Sequence, residues 1–159
     1  MKNILINRNL LFIFAFFLIL SCSKKSDEVT PSALTGKWKQ SGITGKITIM
    51  DNGQTATENI NEPADNSIIE FKSDGTAVYD GDMVKYKLSG TNLTLGEGTQ
   101  SVTFVAKVNG NNLTLSYTKD EFFKLIALFS DPNDPDVKEF LSIKNKITVF
   151  EYNQNYVKQ

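Results

Sequence analysis

The sequence predicts an all-β fold: an up-and-down antiparallel barrel of eight or nine short strands, with one or two short helices at about residues 119–143 before the last strand. Three observations carry this expectation. Turn dipeptides that accept positive φ recur at hairpin spacing: Asn52-Gly53, Asp74-Gly75, Asp80-Gly81 and Asn109-Gly110. Between them apolar and polar residues alternate, as in strands with one wet face. The one break in the alternation, after Thr118, carries helical capping and apolar spacing instead.

The chain opens on a segment of another kind. Met1 to Asn9 holds Lys2 and Arg8 and no acid, and Leu10 to Leu20 is an unbroken apolar run, too short to span a bilayer comfortably as a mature helix. Ile19-Leu20-Ser21-Cys22 then places a small residue before the only cysteine of the chain. This arrangement resembles the lipobox of bacterial lipoproteins, with Ile19 where the usual pattern has Leu. The resemblance implies cleavage before Cys22, a thioether-linked diacylglycerol on its sulfur and acylation of the new amino terminus. Two or more acyl chains anchor stably where one does not. Residues 1–21 are therefore expected to be a signal peptide. Residues 22–33, polar and without periodicity, are expected to be a lipidated flexible tether. The implied location is the cell envelope, on the outer membrane. Lys24 and Lys25 precede Asp27 and Glu28, which leaves the leaflet open.

With 159 residues the chain has room for one globular domain, placed at 34–153. Strands are expected near 36–50, 54–60, 67–72, 75–80, 83–88, 92–96, 101–108, 112–118 and 146–152. Val84, Tyr86 and Leu88 alternate with Lys85 and Lys87. Val102, Phe104, Ala106 and Val108 face Leu113, Leu115 and Tyr117 across Asn109-Gly110, the clearest hairpin of the chain. So many half-polar strands must hide their edges, and closure into a barrel does so directly; a two-layer sandwich is the alternative.

Thr118-Lys119-Asp120-Glu121 reads as a capping box that opens onto Phe122, Phe123, Leu125, Ile126, Leu128 and Phe129. Asp134 then stands as an N-cap with Pro135 in the first helical position, leading into Val137, Phe140, Leu141 and Ile143. These helices are expected across one mouth of the barrel, as a plug or as a lid over a cavity. Asp131, Asn133, Asp134 and Asp136 offer oxygens of the kind calcium prefers. However, Pro135 occupies a ligand position, and no glycine or closing glutamate follows in register, so no metal site is expected.

Composition narrows the chemistry. Seventeen basic residues face eighteen acids, and loss of Lys2 and Arg8 with the leader leaves fifteen against eighteen. A mildly acidic chain without a basic stripe has no footprint for nucleic acid. Histidine is absent and Arg8 is the only arginine, which removes the commonest general base, the commonest metal ligand and the bidentate anion fork. No Gly-x-Ser-x-Gly elbow occurs. Glu58, Glu62, Asp65 and Glu70 cluster in sequence, and an exposed acidic loop accounts for them. The chain is read as a non-enzyme without a cofactor, and as a monomer.

Leu34-Thr-Gly36-Lys-Trp38, opening the first strand, resembles the Gly-x-Trp signature of lipocalins. Ile69-Glu-Phe71-Lys-Ser-Asp74-Gly75-Thr76-Ala77, then Tyr86-Lys-Leu88-Ser-Gly90-Thr-Asn-Leu93-Thr-Leu95, is similar to the repeating body of bacterial lipocalin-like lipoproteins. The resemblance covers residues 34–118. Two helices before the final strand depart from the usual lipocalin order, in which a helix follows the eighth strand. The resemblance implies that Trp38 closes one barrel end and that the barrel binds a small hydrophobic ligand. Trp38, Tyr79, Tyr86, Phe104 and Tyr117 are the candidate lining residues, although inward aromatics also fill a narrow barrel that has no cavity. The alternative function is a packed-barrel interaction module that presents Asn59 to Ser67, or the turn from Asp131 to Asp136, to a protein or envelope component.

Overall fold

Positive-φ residues place the turns. In the computed structural model, which describes residues 28–131 and 133–159, Asn52 and Gly53 have φ of 49° and 79°, and Asp80 and Gly81 have 48° and 98°. Both pairs form two-residue hairpin turns whose twist matches that of the flanking strands. In the hairpin near residue 110 the turn is Gly110-Asn111, because Asn109 still pairs with Asn112. At the Asp74-Gly75 turn the Asp74 carboxylate accepts from the Thr76 backbone N–H at 2.9 Å and from its hydroxyl at 2.6 Å.

These turns connect β1 (Gly36–Asp51), β2 (Gln54–Glu62), β3 (Ile68–Phe71), β4 (Thr76–Tyr79), β5 (Asp82–Ser89), β6 (Asn92–Leu95), β7 (Val102–Asn109) and β8 (Asn112–Tyr117). A helical turn α1 (Pro31–Leu34) precedes them. Helices α2 (Lys119–Phe129) and α3 (Pro135–Ser142) separate β8 from β9 (Ile147–Lys158). All pairings are antiparallel, and β1 returns to β9, so eight strands close a barrel and β2 is an extra strand. Closure, not a two-layer sandwich, is how this sheet hides its edges.

The long strand β1 makes that closure. On one edge its first residues, Gly36 to Lys39, pair with β3, and Ile43 to Asp51 pair with β2. On the other edge it follows β9 from Trp38–Lys158 to Ile49–Ile147, with a bulge between Gln40 and Gly42. Gly42, at φ 145°, supplies a conformation closed to other residues where the strand leaves the barrel wall. Gly45 lies so close to β9 that a Cβ there would overlap the carbonyl oxygen of Glu151. Beyond the rim, β2, β1 and the first half of β9 continue as a three-stranded flap.

The barrel has two different ends. The turns at 72–75, 90–91 and 110–111 lie at one end with α1; the turn at 80–81, the 96–101 loop and the helices lie at the other. The first end is closed. Trp38 and Leu34 are fully buried there, and the indole Nε1 donates to the Leu34 carbonyl at 2.6 Å. The Lys158 ammonium sits 5.1 Å from the centre of the tryptophan ring. Buried Phe71, Ala77, Leu93, Ala106 and Leu113 complete this part of the core.

Two boundaries differ from the sequence reading. Packing begins inside the expected 22–33 tether, since Val29 is buried and Thr30 caps α1, with Pro31 in its first turn. The last strand runs to Lys158 and not to 152, extending the domain past 153. Asn153 and Asn155 disguise this extension, because asparagine is depleted in strands. Here each has a cross-strand partner: Ser116 donates to Asn153 at 2.6 Å, Thr114 donates to Asn155 at 3.2 Å, and Asn155 donates to Thr44 at 3.0 Å. Cys22 and the leader lie outside the described residues.

Trp38→Ala should cost about 3–5 kcal/mol in chemical denaturation, as loss of a buried large aromatic does. Gly45→Ala should cost about 1–3 kcal/mol although it adds only a methyl group, because the obstacle is backbone on the facing strand. An unchanged midpoint for Gly45→Ala would show that β1 and β9 are not held this close.

Candidate functional site

At the helical end the barrel is not filled. Inward positions of six strands surround a cavity of about 350 Å³. Its walls are Ile69 of β3, Leu95 of β6, Phe104 of β7 and Leu115 of β8, and Leu125 reaches it from α2. The polar lining is Tyr79, Tyr117, Tyr156 and Gln154. A larger hollow of about 480 Å³ lies outside, beside Met83, Lys85 and Glu97, but it is an open groove on the outer wall. The mouth cavity is the more enclosed of the two, as small-molecule sites are.

Gln154 organises the polar side of the cavity. Its Oε1 accepts from the Tyr156 hydroxyl at 3.1 Å, and its Nε2 donates to the Tyr117 hydroxyl at 3.4 Å. Burial pushes the Tyr117 and Tyr156 phenols far above the ordinary tyrosine range. Burial also raises Tyr79, with a further contribution from the Asp80 carboxylate. At the rim, Asp65 accepts the Ser67 backbone N–H at 2.8 Å, which holds its carboxyl below the usual range, and Asp80 accepts the Ile68 N–H at 3.4 Å.

The helix α2 is fastened over this mouth. The Thr118 hydroxyl accepts the Glu121 N–H at 3.2 Å, which is half of the expected capping box. The Glu121 carboxylate accepts the Thr103 N–H of β7 at 3.1 Å, and the Lys124 ammonium donates to the Ser101 carbonyl at 2.8 Å. These two bonds tie the helix to the rim. On the other side Phe122 lies 4.9 Å from Tyr152 and 5.3 Å from Phe150 of β9, and Phe123 stacks on Phe140 of α3 at 5.1 Å. Of the two sequence alternatives, plug or lid, the geometry combines parts of both: the helix roofs a cavity and is fixed at both margins.

Three of the five candidate lining residues, Tyr79, Phe104 and Tyr117, border the cavity. The other two do not. Trp38 belongs to the closed end. Tyr86 packs edge-on against Phe71 at 5.3 Å and donates its hydroxyl to the Lys72 carbonyl at 2.8 Å. Sequence reasoning missed Gln154, Tyr156 and Leu125. The first two sit in the stretch of β9 disguised by asparagines, and Leu125 was seen only as part of a helix face. In the acidic turn, Asp131 and Asp134 accept the N–H groups of Asn133 and Asp136 at 2.8 and 2.9 Å, so these carboxylates serve the backbone. Glu70 pairs with Lys37 at 3.8 Å.

Comparison with protein-family models, curated proteins and solved structures finds no match.

Tyr117 and Tyr156 stay protonated in the fold, whereas an unfolded tyrosine ionises near pH 10. Their stabilising contribution is therefore complete below about pH 10 and falls as the pH climbs above it, since the unfolded chain then binds fewer protons than the native one. Alkaline titration should show their phenolate absorbance rising together with unfolding, and Tyr117→Phe should flatten the alkaline loss of stability. Reversible ionisation of all tyrosines in a folded protein near pH 10 would contradict the burial.

Proposed function

We propose that the chain is a non-enzymatic, membrane-anchored lipoprotein whose lipocalin-like barrel binds a small apolar ligand in the mouth cavity. The observation that carries this reading is the cavity itself. It is walled by Ile69, Leu95, Phe104 and Leu115, has three of its four polar residues on the adjacent strands β8 and β9, and lies at the lower end of the roughly 300–1,000 Å³ typical of small-molecule sites. A barrel needed only for packing would have filled that space with side chains.

The anchor reading rests on the leader and on Cys22. The architecture is compatible with it: α1 meets the barrel at the closed end, opposite the mouth. The proposed location is the outer membrane, with the domain acting as a monomer and engaging no nucleic acid.

A second reading, an envelope interaction module, draws on a different feature. Among the described residues the flap strand β2 pairs only with β1 and is exposed on nearly all of its length, so its outer edge has no strand partner among them. A partner strand can add to such an edge.

Native mass spectrometry of the chain purified from its own envelope should show an added small, lipid-like mass that dissociates on activation. An empty chain that also takes up no apolar fluorescent probe would end the carrier reading and favour the edge of β2. Separately, Cys22→Ser should abolish incorporation of a palmitate analogue. Retained labelling would refute lipidation at this residue.

A further inference from the structure

The polar side of the mouth cavity has a definite chemical character. None of the described residues that line it carries a formal charge at neutral pH. Beyond its bonds to the two tyrosines, the Gln154 amide keeps one more donor and one more lone pair, and Tyr117 keeps its own hydroxyl proton. Charges of both signs stand at the rim: the Lys124 ammonium is engaged with the Ser101 carbonyl and the Glu121 carboxylate, while Asp80 and Asp65 bear on the Tyr156 phenol. Asp80 directly follows Tyr79, and Asp65 is fixed two residues before Ser67, at the start of the strand that carries Ile69.

We infer that the cavity selects an uncharged amphiphile, with an alkyl chain or small ring against the leucine, isoleucine and phenylalanine walls and a hydroxyl or carbonyl at Gln154 and Tyr117, and that it rejects carboxylates. This inference rests on the ligand-binding reading above and narrows it to a ligand class. A hydroxyl or ester carbonyl can exchange hydrogen bonds with the amide and the phenol and loses little on leaving water. A carboxylate in the same position would be stripped of water with no ammonium or guanidinium among the described lining residues to replace it. Hydrogen bonds from a neutral amide and a phenol do not offset that loss.

The test uses the full chain in lipid nanodiscs, with diazirine-bearing analogues of decanol, methyl decanoate and decanoic acid photolysed at pH 8. Adducts are mapped by mass spectrometry to the peptides that contain Leu115–Tyr117 and Gln154–Tyr156. The alcohol and the ester should label these peptides, and the acid should do so at least about tenfold less. Gln154→Lys, which supplies a cation at the polar side, should bring the acid up toward the alcohol; if that variant does not fold, the ratio in the unaltered chain decides. Equal labelling by acid and alcohol would overturn the selectivity while leaving the carrier reading intact. Failure of all three probes to label the cavity peptides above empty-nanodisc background would overturn both.

Discussion

The pairing of β1 with β9 is the interaction on which the rest of the molecule depends. It is the seam that closes eight of the nine strands into a wall, and it joins the first and last strands of the described fold. A contact between strands so far apart in sequence carries a cost in loop closure, so it must be strongly specified. Two local features specify it. Gly45 lets the backbones approach where any side chain would obstruct. Asn153 and Asn155 form side-chain hydrogen bonds outward to Ser116, Thr114 and Thr44, so that β9 is located against both neighbours at once. A one-residue slip would exchange these asparagines with Gln154 and Tyr156 and turn polar groups toward the core.

The same strand shows how structure and site are combined. Its outward residues hold the wall together and its inward residues, Gln154 and Tyr156, furnish the polar side of the cavity. Half-buried Gln154 donates one hydrogen bond to a tyrosine hydroxyl and accepts one from another, which orients its amide and offsets part of the cost of removing it from water. The phenols themselves are kept neutral by burial. The result is a set of hydrogen-bonding groups fixed in position without any charge.

How much of this was legible depends on which signal a segment carries. The hairpins from β4 to β8 were legible because a two-residue turn needs positive φ and a half-buried strand needs alternation, and both requirements are local. Helices α2 and α3 announced themselves through Thr118 and Asp134. The extension of β9 was not legible, since asparagines at its outward positions are favourable only opposite Thr114, Ser116 and Thr44, and sequence does not reveal cross-strand partners. Glu121 illustrates the limit well: the capping box predicted the helix start correctly, yet the carboxylate left the box to bind Thr103 on another element. Trp38 and Tyr86 had the right inward parity, but parity does not say at which level of the barrel a residue lies, and both fell outside the cavity.

The wall beside the cavity is only half zipped. β8 and β9 share ladder hydrogen bonds from Asn112–Val157 to Ser116–Asn153, and above that level β8 gives way to α2 while β9 runs on to Ile147. The gap is filled by Tyr117, Phe122, Tyr152 and Phe150, edge to face or tilted. Parting the wall there separates aromatic rings and breaks only side-chain bonds, Gln154 to Tyr117 and Lys119 to the Ile147 carbonyl, whereas parting it elsewhere means tearing a ladder. The barrel is thus stiff around most of its circumference and compliant along one narrow line beside the cavity, like a sleeve whose seam is basted at one end and stitched at the other.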